Sequence, residues 1–286
     1  MIFIIIIYIF LLLIVAFLVL LERKVLRLAQ IRKRPHIVRF YGILQTVIDR
    51  VKLLIKSFLI LPKFISFFFL FSPFCAFFLS LVLWFFPYAS FSLSINEFNI
   101  FIIITLISLN RHTIVWARWR SSNIYSLFRA IRAVAQIISY EIILSFFFFL
   151  IIIKTGSFTW EVFNYTNFYF FFFLFVLWVI IMLAETNRTP FDLVEGESEL
   201  VRRYNVEFSR SGFTLLFLAE YLNIWLICLL TVIFFFSKSF FFFFFFSIIF
   251  LIIRAQLPRF KFFDLIFLAW KVILIWVTFF ILFFLF

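Results

Sequence analysis

Long apolar segments alternate with short polar ones along the whole chain. Eight of them are long enough, or nearly so, to cross a bilayer core of ~30 Å as helices. These segments are residues 2–21, 65–86, 98–116, 133–153, 168–183, 213–236, 240–253 and 263–286. The seventh is short for a span unless flanking residues extend it, and Pro87 is expected to end the second. The pattern predicts an all-α polytopic membrane protein of about eight transmembrane helices, with residues 1–286 as a single membrane domain.

A different pattern follows the first predicted span, in the basic segment 22–64. Between residues 43 and 58 apolar side chains recur at helical spacing, while Asp49, Lys52 and Lys56 lie on a polar stripe. Such an amphipathic helix is expected to lie in the membrane interface, with its cations towards water. The charged residues Glu22, Arg23 and Lys24, where the first span emerges, must be paired or exposed to water.

Composition and charge support a membrane location. Two thirds of the residues are hydrophobic, and Phe supplies 55 of 286, far more than in a soluble domain. Most of the 26 Lys and Arg residues fall in four alternate loops, whereas the opposite side has only Lys154 and Lys238. By the positive-inside rule those four loops face the cytoplasm or the matrix of an organelle, and both termini face the other side. Cations spread over loops of an apolar body argue against nucleic-acid binding.

The two cysteines and two histidines of the sequence are far apart, and no metal site is predicted. Cys75 and Cys228 lie in separate apolar segments, and two such cysteines cannot hold an iron–sulfur cluster alone. His36 and His112 have no partners at the spacing of metal ligands. We therefore expect the chain to bind no flavin, iron–sulfur cluster or metal ion.

Two acidic residues are predicted to lie inside the membrane. Glu141 follows Arg132 by nine residues, which is about 13 Å of helix. Glu220 lies seven residues past the start of the sixth span. An ionised carboxylate at this depth is costly, so such a group is by default functional and must be protonated, paired or hydrated.

The loop at residues 184–212, between the fifth and sixth spans, concentrates negative charge. Its acidic residues are Glu185, Asp192, Glu195, Glu197, Glu199 and Glu207. If residues 191–203 are helical, Asp192, Glu195 and Glu199 share one face, and their mutual repulsion raises the proton affinity of at least one. The alternative is ordinary pairing on a helix surface, since Arg188 precedes Asp192 by four residues. Spacing alone does not decide between a raised proton affinity and ordinary ion pairing.

Several motifs together resemble a known family. ERKVLRLAQIRKRPHIV is followed by YGILQTVIDRVKLLIK, RAVAQIISYE, AETNRTPFDLVEGESELV, FLAEYLNI and PRFKFFDLIFLAWK. In this order they resemble the subunit 1 family of mitochondrial NADH:ubiquinone oxidoreductase, respiratory complex I, over almost the whole chain. The resemblance implies the mitochondrial inner membrane, with both termini on the intermembrane-space side. It also implies ubiquinone as substrate, lipids as neighbours, and as partners the other subunits of the membrane arm and quinone module, which carry the flavin and clusters.

The resemblance also implies roles for individual residues. Those expected to frame quinone entry and the subunit interface are Arg23, Lys24, Arg32, Asp49 and Lys52. Those expected in the acidic loop that faces the quinone chamber are Glu185, Arg188, Phe191, Asp192, Glu195, Glu197 and Glu199. Glu141 and Glu220 are then expected to be the first intramembrane acids of a proton or charge relay.

The chain departs from the family pattern at specific positions. The family usually has Gly where this sequence has Arg27, Arg34, Arg39, Arg118, Arg129 and Arg203. Either these are genuine arginines of a divergent lineage, or the codons are read as glycine, and an intact mass distinguishes the two. A lysine usual in the family is replaced by Ile124, and a Glu-Pro pair by Ser57 and Phe58. Other classes that share features with the sequence are the membrane anchor of energy-converting hydrogenases and a standalone ion transporter.

Overall fold

The fold is known from a computed structural model of the chain. It describes residues 2–31, 42, 45–55, 67–92, 99–119, 124–155, 168–186, 190–191, 210–236 and 240–285. Every regular element in these ranges is a helix. The predicted all-α fold is therefore confirmed.

Nine helices make up the described part of the chain. They are α1 (Ile2–Ala29), α2 (Gln45–Ile55), α3 (Phe67–Ser92), α4 (Asn99–Trp119), α5 (Ile124–Thr155), α6 (Phe168–Glu185), α7 (Arg210–Phe235), α8 (Phe240–Gln256) and α9 (Phe262–Leu285). Stretches of α1, α5, α7 and α9 are long and apolar enough to cross a membrane, and α3, α4, α6 and α8 contain shorter apolar stretches. Each predicted span thus has its helix, and α2 lies where the amphipathic helix was expected.

Three predicted helix boundaries were wrong. The helix of the fourth span was expected to begin near residue 133, but α5 begins at Ile124. Pro87 does not end the second span, because α3 continues to Ser92. A membrane favours this outcome, since a helix that loses one hydrogen bond at a proline still satisfies its other backbone groups. The first span was expected to end at residue 21, yet α1 continues to Ala29 and carries Glu22, Arg23 and Lys24 in its last turns.

Helix α7 lies at the centre of the fold. It packs against α1, α2, α3, α6 and α8, and 72% of its most apolar stretch is buried, against 28% for α9. The indole N–H of Trp84 on α3 donates a hydrogen bond to the carbonyl of Leu222 on α7, at 2.9 Å. Helix α9, in contrast, packs mainly on α5 and leaves most of its surface uncovered.

Phenylalanine and tryptophan rings fill the interior. Trp178 on α6 contacts Phe147 and Phe148 of α5 and Phe234 of α7, with ring centroids 5.0, 6.1 and 5.5 Å away. Two of these contacts are edge-to-face, which suits the quadrupoles of the rings. Lipid removes most of the hydrophobic driving force between helices, so close packing of this kind is what holds them together.

Helix α9 has one irregular turn. Residues Leu268–Ile273 form a π-helical segment between the α-helical segments Phe262–Phe267 and Leu274–Leu285. Just before it, the hydroxyl of Tyr140 on α5 donates a hydrogen bond to the carbonyl of Leu265, at 3.1 Å. This bond fixes the position of α5 relative to the wide turn.

Candidate functional site

A buried charge cluster joins three helices. The carboxylate of Glu22 on α1 accepts a hydrogen bond from the hydroxyl of Tyr221 on α7, at 2.5 Å. Its other oxygen lies 2.9 Å from a guanidinium nitrogen of Arg254, in the last turn of α8. Only 9% of either charged side chain is exposed. We refer to Glu22, Tyr221 and Arg254 as the buried triad.

The buried triad explains why α1 extends beyond the predicted end of the first span. Burying a carboxylate is expensive unless it is paired and hydrogen-bonded, and both oxygens of Glu22 have a partner here. None of the three residues was among the predicted site residues. The sequence did carry one signal, since Glu22 at the end of an apolar segment had to be paired or hydrated.

Next to the buried triad, a more exposed ion pair connects α1 with the interfacial helix α2. A guanidinium nitrogen of Arg23 lies 3.5 Å from a carboxylate oxygen of Asp49, and each side chain is 44% exposed. Lys24 is half-buried and Lys52 is exposed, and α2 packs on both α1 and α7. Four of the five residues predicted to frame quinone entry therefore lie on α1 and α2, two of them in direct contact.

The Arg23–Asp49 pair is expected to contribute little energy of its own. Exposed ion pairs typically have coupling energies of about 0.2–1 kcal/mol. We expect Arg23→Gln, Asp49→Asn and the double variant to give a coupling within that range, calculated from the unfolding free energies of the purified proteins in a double-mutant cycle. A coupling above about 1.4 kcal/mol would instead show that the two charges stabilise the contact between α1 and α2 as a unit.

Phe191, at the start of the acidic loop, is held on several sides. Its ring is 3% exposed and stacks on Phe260 with centroids 5.5 Å apart, while Tyr140 lies 6.0 Å away. Its carbonyl accepts a hydrogen bond from the side-chain amide of Gln136 at 2.9 Å, and the N–H of Phe260 donates to the carbonyl of Pro190 at 3.0 Å. The loop thus begins at a position fixed to α5 and to the turn before α9.

The two predicted intramembrane acids lie at similar depth on different helices. Glu141 is seven residues past Val134, where the span of α5 begins, and Glu220 is eight residues past Gly212, where that of α7 begins. At 1.5 Å per residue these positions are about 10 and 12 Å along the helix from the start of each apolar stretch. Both side chains are half-buried, as is Glu185 at the end of α6. Glu220 directly precedes Tyr221 of the buried triad.

The other predicted site residues lie outside the described residues. They are Arg32, Arg188, Asp192, Glu195, Glu197 and Glu199. Of the arginines that replace family glycines, only Arg27 has a described side chain, which is half-buried in the last turn of α1. Within the described ranges, no group of three or more His, Cys, Asp or Glu residues is arranged to hold a metal ion.

Some buried polar atoms near the site have no hydrogen-bond partner in the part of the chain that the structure describes. They include the hydroxyl of Thr46 on α2, the side-chain oxygen of Asn223 and the indole nitrogen of Trp225, both on α7. Buried polar groups normally find a partner, which can be a residue, an ordered water or a ligand. These atoms are thus available to an ordered water or a ligand.

Comparison with known proteins gives a consistent result. The family model described as NADH dehydrogenase matches residues 2–285. The chain is 41% identical over 273 residues to NADH-ubiquinone oxidoreductase chain 1 of Anopheles gambiae, covering 90% of this chain and 85% of the relative. It is 40% identical to the protein of the same name from Mytilus edulis, covering 92% and 90%, and 39% identical to that of Lampetra fluviatilis, covering 91% and 87%.

Proposed function

Because the chain belongs to the NADH dehydrogenase family, as a chain 1 of NADH-ubiquinone oxidoreductase, we propose that it forms the membrane part of the quinone chamber in that enzyme. We propose further that it holds the first intramembrane groups that couple quinone reduction to proton translocation. The relatives' names favour this function over the anchor of a hydrogenase or a standalone transporter.

The observation that carries the proposal is a pair of contacts, one at the interfacial helix and one at the buried triad, whose residues are adjacent in sequence on α1. Asp49 on the interfacial helix pairs with Arg23, and the adjacent residue, Glu22, binds Tyr221. Tyr221 is in turn adjacent to Glu220 on α7. These contacts support a coupling in which a change of charge or position near α2 shifts α1 relative to α7, the helix that carries Glu220.

The chemistry of the residues around α2 suits a quinone. Arg23, Lys24 and Lys52 supply positive charge near a headgroup whose oxygens accept hydrogen bonds, and the hydroxyl of Thr46 is a buried donor. On the other face of α2, Ile48, Val51 and Ile55 are exposed apolar side chains, which suit an isoprenoid tail. Ubiquinone accordingly has both a polar and an apolar partner on one helix.

In this mechanism the chain handles protons and charge, while other subunits supply the electrons. Reduction of a quinone to a quinol takes up two electrons and two protons. Acidic groups near the chamber can supply these protons. The resulting change of charge biases the protonation of Glu220 and then Glu141, because a nearby charge alters the proton affinity of a partly buried carboxyl. Flavin and iron–sulfur clusters belong to the partner subunits.

The protein is a membrane protein of the mitochondrial inner membrane. We propose the orientation that the basic loops require, with the basic loops and acidic loop on the matrix side and both termini on the intermembrane-space side. The partner subunits that deliver electrons then dock on the face that carries α2 and the acidic loop.

Photolabelling tests the quinone chamber directly. The native assembly, purified in mild detergent and active as an NADH:quinone reductase, is irradiated with a photoreactive ubiquinone analogue. We expect labelled peptides from residues 22–55 of this chain, with the label suppressed by excess ubiquinone. Label that is confined to other subunits, in an assembly that still reduces quinone, would contradict a chamber wall formed by α1 and α2.

A further inference from the structure

The outward surface of α9 has an unusual feature. This span is the least covered of the four long ones, with 28% of its most apolar stretch buried. Its exposed side chains are large and apolar, including Phe263, Phe267, Trp270, Ile275 and Phe279. Lipid alone would suit such a surface, but α9 also exposes two charged residues, Asp264 and Lys271. Asp264 lies in the first turn, where it can reach the lipid headgroups, whereas Lys271 lies further along the helix.

Lys271 lies deep in the membrane. It follows Phe262, where α9 begins, by nine residues, which is about 13 Å along a helix. The hydrocarbon core is ~30 Å thick, so a core that begins at Phe262 would place the Cα of Lys271 close to the midplane. An extended lysine side chain reaches only about 6 Å from its Cα, which is too short to bring the ammonium group to the lipid headgroups.

Within the described part of the chain, Lys271 has no ion-pair partner. Its recorded contact is with the ring of Phe267, whose centroid lies 4.9 Å from the ammonium nitrogen. A cation over an aromatic ring gains some attraction, but this does not replace the hydration that the ammonium group loses. Charged residues at this depth pair with one another, line water-filled cavities or face the interior of a bundle.

The backbone at Lys271 is specialised as well. The residue lies in the π-helical segment Leu268–Ile273, and wide turns of this kind are frequent at functional sites. Ala269 and Ile273 are buried in the same segment, so the wide turn packs inwards while Lys271 faces outwards. The Tyr140–Leu265 hydrogen bond holds this turn against α5, the helix that carries Glu141.

We infer that Lys271 pairs with an Asp or Glu side chain in a transmembrane helix of a neighbouring subunit, which packs on the aromatic outer surface of α9. Depth favours this partner over an anionic lipid, whose phosphate stays at the membrane surface. The inference rests on membership of a multisubunit enzyme and does not depend on the quinone chamber. It defines a docking surface made of Phe267, Trp270, Lys271 and Ile275.

A hydrophobic carbodiimide, applied to the native assembly, tests the pairing. This reagent activates a carboxyl group inside the membrane, and a lysine in contact with it then forms an amide bond. We expect mass spectrometry to find Lys271 linked to an Asp or Glu within an apolar segment of another subunit. Linkage to a loop residue only, or no linkage while other membrane-embedded carboxyls react, would overturn the inference.

Substitution gives a second, independent readout. We expect Lys271→Met to release the neighbouring subunit during detergent purification, whereas Lys271→Arg keeps it. Lys261→Met is the matched control, because Lys261 is an exposed lysine in the turn before α9 and should have no effect. Retention of every subunit in Lys271→Met, or recovery on addition of anionic lipid alone, would exclude a protein carboxylate as the partner.

Discussion

Replacing Glu22 by leucine is expected to abolish assembly of the protein into its enzyme. The change leaves the guanidinium of Arg254 and the hydroxyl of Tyr221 buried without their acceptor. Removing one partner of a buried ion pair typically costs about 3–5 kcal/mol, which is a large part of the stability of a domain. The measurement is the amount of intact, NADH-oxidising assembly on a native gel, relative to the wild-type protein.

Three further variants separate charge from packing in the same experiment. Glu22→Gln keeps a hydrogen-bond acceptor but removes the charge, and we expect an intermediate loss. The double change of Glu22→Leu with Arg254→Leu removes both charges, and we expect it to assemble better than Glu22→Leu alone, because no uncompensated cation remains. Asp264→Asn, at an exposed acid at the start of α9, serves as the control. A double variant as poor as the single one would mean that the two side chains do not act as a pair.

Neutralising the intramembrane acids is expected to stop proton translocation in an assembled enzyme. A glutamine at position 141 or 220 has nearly the size of glutamate but cannot bind and release a proton. We expect Glu141→Gln and Glu220→Gln each to lower NADH-driven proton translocation by at least about tenfold, which corresponds to about 1.4 kcal/mol in a barrier. The measurement is quenching of a pH-sensitive dye in vesicles that contain the purified assembly.

Two controls make this result specific. Glu→Asp at the same positions retains an acid and should recover part of the activity. Electron transfer from NADH to a hydrophilic acceptor, which bypasses the quinone, should stay unchanged because the flavin subunits are not altered. Normal pumping stoichiometry in Glu141→Gln would exclude Glu141 from the relay. The same outcome for Glu220→Gln would exclude Glu220, and with it the proposed coupling from α2 to α7.

Most of the fold could be predicted from the sequence, because a bilayer permits few alternatives. A spanning segment must satisfy its own backbone and be apolar over about 20 residues, so length and composition locate the apolar stretches of α3 to α9. The end of α3 and the start of α5 differ from the prediction by several residues. Amphipathic spacing located α2 for the same reason. The errors arose where a residue breaks the simple rule but is compensated, as at Pro87 and Glu22.

The contacts of the candidate site could not be predicted from the sequence as well as the helices could. Glu22 is separated from Tyr221 by 199 residues and from Arg254 by 232, and no local pattern indicates which helices meet. Family resemblance supplied Arg23 and Asp49 as site residues, but their contact depends on how α2 folds back on α1. Lys271 lies within the predicted eighth span, whereas its outward orientation depends on the packing of α9 against α5.

The central position of α7 has a consequence for biogenesis. Helices α3, α4, α5 and α6 pack in chain order, so they can associate while the ribosome is still synthesising the chain. Helix α7, the partner that α1 and α3 share, begins only at residue 210 of 286. Arg254, whose charge neutralises Glu22, follows still later. The buried triad can therefore form only after the sixth and seventh spans have been synthesised.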